Sequence, residues 1–306
     1  MMVKVWFFLI VSLCIPNMVH SCVLRISKSI NHHNLPFLFG ITNYDNEFIA
    51  IGGVKPTIYT FNENVEIKAS KEIIDNFYGF EIKDISIQKF NNKNNIIFIL
   101  NEYNGKNTGM VYTLEGKQEL YRELSLLYKK LAIKTKLSSG KNINISGMVS
   151  DENNVYLITN SSNNNDFLFS IAKTKFENYI INNHLSLDDI YAYPVDLPIK
   201  NGIKAQLSSI AIDEEENALY VTATVNGEND ILGNYYGSIY LEYIKPSRAI
   251  KLNYDAIEIK YDKQPLLEKI KSIAVMSNNN NKEIKGILLS QNRDGTSKVF
   301  DFTFKK

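Results

Sequence analysis

Cysteine is scarce in this sequence, whose 306 residues include only two, Cys14 and Cys22. A chain cleaved just before Cys22 keeps a single thiol, which cannot form an internal disulfide. The fold must therefore rest on a hydrophobic core and not on bridges. Hydrophobic residues make up 44% of the sequence, which is ordinary for a globular protein with such a core.

A strong net charge and the common catalytic motifs are also missing. The formal charge is +1, so no general field attracts nucleic acid, and we expect no nucleic-acid partner. The four histidines show no HExxH or paired spacing, and no CxxC occurs, so zinc has little support. GxSxG, phosphate-loop and dinucleotide signatures are absent as well. These motifs therefore assign no catalytic residue and no metal ligand, although catalytic groups could still come together from loops far apart in the sequence.

The first 21 residues are typical of a secretory signal peptide. Lys4 gives a basic start, and residues 5–15 form an apolar run that Pro16 ends. This run is shorter than the about 20 residues that span a bilayer. We expect residues 1–21 to be removed on export, with an uncleaved signal anchor as the alternative.

Cys22 follows Val19, His20 and Ser21, a sequence similar to the site at which bacterial lipoproteins are cut and lipidated. A lone cysteine at the start of the mature chain fits lipid attachment, and ordinary cleavage near the same place is the alternative. We expect an exported protein that is either anchored in a membrane through this lipid alone or free in the periplasm or outside the cell.

One sequence unit recurs along residues 22–306. Each copy has a small residue, a few alternating residues, a polar turn and an aliphatic-aromatic strand, which together suit a hairpin. A further strand candidate follows each hairpin. The five copies begin at Gly40, Ser86, Ser146, Ser209 and Ser272.

The copies start 46 to 63 residues apart. Short strands that repeat at such a period are typical of a β-propeller, whose blades surround a central channel. We predict an all-β fold, a single propeller of five or six blades. A sixth blade would use residues 249–261, and a strand at residues 23–26 would close the ring. Residues 118–130 have leucines at helical spacing and predict a short inserted helix. A β-sandwich or two stacked β domains is the competing interpretation.

Two stretches carry a family resemblance: NISGMVSDENNVYLITNSSNNNDFLFSI from Asn144, and DEEENALYVTATVNGENDILGNYYGSIYLEYI from Asp213. They resemble an uncharacterised bacterial family of exported β-propellers, distantly similar to phytase-like and SMP30-like propellers. The resemblance implies the fold but no activity. Related sequences often have a carboxylate at the start of the repeat, whereas this chain has glycine or serine at that position. That departure lowers the expectation of an enzyme.

The repeated serines are the first candidate site. The innermost strand of each blade lines the channel, so Ser86, Ser146, Ser209 and Ser272 would form a polar, uncharged ring around it. Such a ring would hold a ligand or a water column. The alternative, which we favour, is that small residues are needed where the strands converge.

The second candidate is the segment of residues 225–236 in the fourth unit. Glu228 and Asp230 supply carboxylates, and Tyr235 and Tyr236 are expected to be exposed and to suit contact with a carbohydrate or a protein. Calcium is the one cofactor that these oxygen groups suit, although their spacing does not match the helix-loop-helix calcium loop. The alternative is structural, with Asp230 satisfying backbone amides within the turn.

These observations favour a non-enzymatic binding module at the cell envelope, with a protein, a carbohydrate or another small molecule as its ligand. The alternative is a metal-assisted hydrolase of small esters or phosphoesters, like the phytase-like and SMP30-like propellers. Carboxylates that converge on the channel would favour the hydrolase, whereas a channel lined by hydroxyl or apolar groups would favour the binding module.

Overall fold

The computed structural model describes residues 23–305 apart from several short gaps. In chain order, the gaps are residues 37, 46, 53–56, 63, 73–80, 91–94, 104, 115, 137–142, 162–164, 246–247, 253–254, 279–282 and 293–295. The expected signal peptide and Cys22 lie outside the described residues. No helix in the described part of the chain is long and apolar enough to cross a membrane.

The blades follow one another along the chain, each built from its inner strand outward. The first strand, β1 (Val23–Pro36), belongs to the last blade. Blade one comprises β2 (Leu38–Tyr44), β3 (Glu47–Gly52), β4 (Thr57–Phe61) and β5 (Ile67–Glu72). Blade two comprises β6 (Glu81–Lys89), β7 (Asn95–Tyr103), β8 (Lys106–Thr113) and β9 (Gln118–Glu123).

Helix α1 (Ser125–Lys134) joins blade two to blade three. Blade three comprises β10 (Ile143–Ser150), β11 (Asn154–Ser161), β12 (Asp166–Ala172), helix α2 (Lys173–Asn182) and β13 (Ile190–Asp196). A hairpin of β14 (Ile199–Lys200) and β15 (Ile203–Lys204) leads to the next blade.

Blade four is followed by short strands that finish two sheets. It comprises β16 (Gln206–Asp213), β17 (Ala218–Asn226), β18 (Ile231–Tyr240), a 3-10 turn (Leu241–Tyr243), β19 (Ile250–Lys251) and β20 (Ile257–Glu258). Of these strands, β19 runs parallel to β13 at the edge of blade three, and β20 is the outer strand of blade four. The segment 249–261 therefore does not form a sixth blade.

Blade five takes strands from both ends of the described chain. A small hairpin precedes it, made by β21 (Lys260–Tyr261) and β22 (Gln264–Pro265). Blade five comprises β23 (Lys269–Asn278), β24 (Glu283–Gln291), β25 (Thr296–Lys305) and the outer strand β1. The predicted closing strand is confirmed: it pairs antiparallel with β25, with Val23 opposite Lys305.

The five inner strands β2, β6, β10, β16 and β23 contact one another in a closed ring. The prediction of a single propeller is confirmed, with five blades, and the sandwich alternative is wrong. Five hydrophobic clusters lie between neighbouring blades and form the core. Each fully buried large apolar side chain stabilises the folded state by roughly 1.5–3 kcal/mol.

The predicted helical insertion is present but shifted along the chain. Residues 118–123 form the outer strand β9, and α1 begins only at Ser125. The leucines at helical spacing lie in the core: Leu124, Leu127 and Leu131 are fully buried between blades two and three.

The sequence did not predict α2, which packs beside α1. Its Phe176 and Tyr179 are fully buried in the same cluster. The guanidinium of Arg122 donates to the carbonyl oxygens of Ile180 and Ile181 at 2.7 and 2.6 Å and so satisfies the carboxyl end of the helix.

Candidate functional site

Every inner strand carries a β-bulge at the same place in its blade, where its register against the second strand shifts. The residue that follows each shift lies at an equivalent position around the axis. We call these five residues the axial ring: Gly40, Asp84, Gly147, Ser209 and Ser272.

Serines of the axial ring bond to the backbone of the next blade. Ser209 Oγ accepts a hydrogen bond from the Ile273 N–H at 2.9 Å, and Ser272 Oγ accepts one from the Ile41 N–H at 3.0 Å. The inner edge of an inner strand has no further strand to pair with, so its backbone N–H groups lack a partner in the sheet. The serine hydroxyls accept hydrogen bonds from two of these groups. The two serines therefore stabilise the junctions between blades.

Asp84 is the acid of the axial ring, and its side chain is 2% exposed. Its Oδ2 accepts the Met148 N–H at 2.8 Å, and the carboxyl also bonds the Ile85 N–H and the Ser272 hydroxyl. Burial raises the pKa of this carboxyl to about 8, although these hydrogen bonds lower it. Asp84 thus joins blades two, three and five at the axis through uncharged partners.

A glycine provides the space for this carboxyl. A Cβ at Gly40 would lie 3.2 Å from Asp84 Oδ1 and 2.9 Å from the Ile85 nitrogen, which is closer than such contacts normally come. The small residue at the start of the first repeat is therefore a packing requirement of the axis.

The predicted serine ring is displaced in two blades. Ser86 lies two residues beyond Asp84, and Ser146 lies one residue before Gly147. Ser146 Oγ donates to the Leu207 carbonyl at 3.1 Å. The expectation that no carboxylate stands at the start of the repeat is wrong in blade two, because Asp84 stands there. A ligand-binding role for the serines stays a prediction.

Beyond the axial ring, the channel widens into a chamber of about 260 Å³ that all five inner strands line. Ile41, Ile85, Ser86, Ile210 and Ile273 are among the residues of its wall. The chamber lies toward the carboxyl ends of the inner strands.

The chamber adjoins a wider pocket of about 750 Å³, which we call the mouth. Asn43, Ile87, Ser150 and Glu214 line both spaces. The first hairpin turns of blades one, three and four, the inner strand of blade two and the first turns of α2 form its walls. Its polar side chains include Asn43, Asp45, Gln88, Asp151, Glu152, Asn153, Lys173, Thr174, Glu177 and Glu214.

The wall that blade three contributes is held by its own hydrogen bonds. Asp151 Oδ1 accepts the N–H groups of Asn153 and Asn154 at 2.7 and 2.6 Å, and Oδ2 accepts the Tyr156 hydroxyl at 2.9 Å. The Lys173 N–H donates to the Asn153 carbonyl at 2.8 Å, which ties the start of α2 to this turn. Asp151 therefore stabilises the first hairpin turn of blade three.

The mouth is acidic. In the part of the chain whose side chains are described, five carboxylates line it, Asp45, Asp151, Glu152, Glu177 and Glu214, against the one ammonium of Lys173. In the part of the chain that the structure describes, no three His, Cys, Asp or Glu residues lie close enough together to hold a metal ion. The acids are therefore distributed around the mouth and do not form one cluster.

Gln88 lines the mouth, and its side chain is 4% exposed. Among the residues with described positions, neither its amide nitrogen nor its amide oxygen has a hydrogen-bond partner. A buried polar group without a partner costs roughly 1–3 kcal/mol, and native proteins leave few of them. Both atoms are sealed from solvent, so a ligand in the mouth would reach them only when this side chain turns toward the pocket. A donor group of the ligand would then satisfy the oxygen, and an acceptor group would satisfy the nitrogen.

Residues 225–236 lie at the other end of blade four. Most of them belong to β17 and β18, whose connecting turn is next to the beginning of β16, whereas the mouth adjoins its end. Glu228 and Asp230 are exposed in this turn, and Tyr235 is half-buried. Tyr236 is 1% exposed and stacks on Tyr220 with ring centroids 5.7 Å apart. The expectation of an exposed tyrosine pair is wrong for Tyr236, which belongs to the core.

Sequence similarity identifies one family and no characterised relative. A profile described as "Family of unknown function (DUF6929)" matches residues 103–304, about two thirds of the chain. No curated protein matches the sequence significantly.

Several solved structures share the fold at low sequence identity. A glutaminyl cyclase from Myxococcus xanthus has a TM-score of 0.50 at 10% identity, and the alignment covers 93% of this chain and 97% of that one. A GH43 β-1,3-galactosidase, solved with galactodeoxynojirimycin, has a TM-score of 0.53 at 10% identity, and the alignment covers 90% of this chain and 93% of that one.

An exo-β-1,3-galactanase from Phanerochaete chrysosporium, solved with β-1,3-galactotriose, has a TM-score of 0.50 at 10% identity, with 91% of this chain and 63% of that one covered. At such identities, these likenesses establish the fold alone.

Proposed function

This chain belongs to the DUF6929 family, whose function is unknown, and we propose that it is a binding module that holds a small polar molecule in the mouth of its channel. The observation that carries the proposal is Gln88, a buried amide that lines the mouth and has no partner in the described structure. The proposal makes the ligand the missing partner of this amide.

The size and walls of the mouth support a small ligand. A volume of about 750 Å³ lies within the range of small-molecule sites. The Asp151 carboxylate accepts hydrogen bonds from two backbone N–H groups, so this wall of the pocket is formed before a ligand binds. A preformed pocket loses little conformational entropy on binding.

Binding is favoured over catalysis by the state of the acid nearest the axis. Asp84 is buried, and its oxygens bond backbone N–H groups and a serine hydroxyl. A carboxyl engaged in this way holds blades together and is poorly placed to attack or protonate a substrate. The alternative of a metal-assisted hydrolase needs converging ligands, and the described residues supply no such group.

We also propose that the module works outside the cytoplasm, at the cell envelope. The support is the amino-terminal sequence: a basic start, an apolar run and Cys22 after Ser21. Lipid on Cys22 would be its membrane anchor, and the channel mouth would then face the aqueous compartment outside the membrane.

A thermal-shift panel tests the binding proposal. The probes are spermidine, lysine, galactose, glutamate and inorganic phosphate, which span cations, a sugar and anions. A ligand at ten times its Kd stabilises the folded state by about 1.4 kcal/mol, which raises Tm by about 3 °C in a chain of this size. We expect one probe to do this to the wild type and not to Gln88→Met. A panel without any shift, or shifts that Gln88→Met retains, would contradict the proposal.

A further inference from the structure

We infer that the ligand of the mouth is a linear polyamine, a chain of ammonium groups separated by short alkyl spacers; this inference rests on the proposed binding function. It joins three observations: the excess of carboxylates in the mouth, their distribution over several elements, and the buried Gln88 amide that has no partner in the described structure.

The sign of the charge comes first. Asp45 and Glu214 lie on the turns of blades one and four, Glu152 lies on the turn of blade three, and all three side chains are exposed. The described residues contribute positive charge through Lys173 and through the start of α2, whose ten residues give a modest dipole. Among the described residues, carboxylates outnumber the ammonium five to one, so their potential in the mouth favours a cation over an anion.

The spacing of the charge comes second. Calcium needs six to eight oxygen ligands that converge on one point. The acids of the mouth instead come from separate elements, and no three of those described lie within reach of one metal ion. A ligand whose positive charges are spread along a chain matches carboxylates that are spread around a pocket.

Hydrogen bonding and shape come third. Each ammonium group of a polyamine donates up to three hydrogen bonds and accepts none. Such groups suit the carboxylates, the Gln88 oxygen and the backbone carbonyl groups on the inner edges of the inner strands, whereas the Gln88 nitrogen, itself a donor, gains no partner from them. The mouth continues into the narrower chamber of about 260 Å³, so an extended ligand has room along the axis.

Calorimetric titration with spermidine tests the inference. The test variant is Glu152→Gln together with Glu214→Gln. The control is Glu119→Gln together with Glu242→Gln, which removes the same charge from residues that do not line the mouth. We expect the mouth variant to bind spermidine about 3- to 10-fold more weakly and the control variant to bind it as the wild type does. Raising the salt from 50 to 500 mM should weaken binding to the wild type.

Each outcome separates this inference from the function on which it rests. Spermidine binding that both double variants weaken equally would mean attraction to overall charge, and it would overturn the inference. Absence of spermidine binding, with galactose or another probe giving a shift that depends on Gln88, would overturn the polyamine while the binding function stands. Absence of binding by every probe would overturn both. Unchanged Tm values of the double variants without ligand show that they are folded.

Discussion

The Asp84 carboxyl makes the stability of the propeller depend on pH. Its pKa lies near 8 in the folded protein, against about 3.9 for an unfolded chain. Between these values, the folded state binds one proton that the unfolded state does not. The free energy of unfolding therefore falls as the pH rises toward 8, and it levels off above that value.

The magnitude follows from the size of the shift. One pKa unit corresponds to about 1.4 kcal/mol, so protonation of Asp84 contributes roughly 3–4 kcal/mol less at pH 8 than at pH 5. Asp84→Asn keeps an oxygen that accepts the Met148 N–H and has no proton to lose. We expect the free energy of unfolding of the wild type, relative to that of Asp84→Asn, to fall by this amount from pH 5 to pH 8.

Urea denaturation at pH 5, 6, 7 and 8 measures this difference. Asp188→Asn, at an exposed surface position, is the matched control for removing one carboxyl. If the difference between wild type and Asp84→Asn stayed constant across this range, the folded protein would not hold a proton on Asp84. The description of the axis as a buried, uncharged junction would then be wrong.

Three further predictions address other parts of the molecule. Gln88→Met removes an amide without a described partner and should stabilise the ligand-free protein by about 1–3 kcal/mol. Asn234→Leu removes an amide bonded to the carbonyls of Leu266 and Glu268 and should destabilise the protein. Chemical denaturation of both variants checks this contrast. Tyr236→Ala should cost about 3–5 kcal/mol because its ring is in the core, and Glu228→Ala should cost under about 0.5 kcal/mol; equal effects would contradict these placements. Cys22→Ala should move the protein from the membrane pellet to the soluble fraction, and retention in the pellet would exclude lipid at Cys22 as the anchor.

The architecture was predictable because hairpin chemistry repeats along the sequence. Alternating Ile, Val, Tyr and Phe next to turns rich in Asn and Asp mark the strands, and the period of the units indicates blades. The closing strand β1 was predicted as well, although it extends to Pro36. The fold needs only these local patterns and the tendency of sheet edges to be covered.

The axial ring was not predictable in detail, because the β-bulge that fixes its position in each inner strand has no sequence marker. In blade three, the residue after the bulge is Gly147, one residue beyond the predicted Ser146. In blade two, serine similarity suggested Ser86, whereas hydrogen bonding against β7 places Asp84 at the axis. The sequence analysis expected a glycine or a serine at each position of the ring and therefore missed Asp84, its acidic member.

Gln88 was missed for a different reason. Nothing in the sequence distinguishes it from the many polar residues near hairpin turns, and its significance depends on burial without a partner. One weak signal existed. Asp84, Ser86 and Gln88 are every second residue of β6, and side chains alternate between the two sides of a strand, so all three lie on the same side. The contrast between a buried amide and an exposed one is a property of the assembled ring.

Side-chain amide NMR tests the central claim, that Gln88 binds a ligand in the mouth, most directly. The Gln88 NH₂ signals are identified by their loss in Gln88→Met, and the five panel compounds are titrated against the labelled wild type. The account predicts that at least one compound, spermidine first, shifts these signals in a saturable way. If the Gln88 signals stay fixed while all five compounds reach millimolar concentration, the mouth is not the binding site.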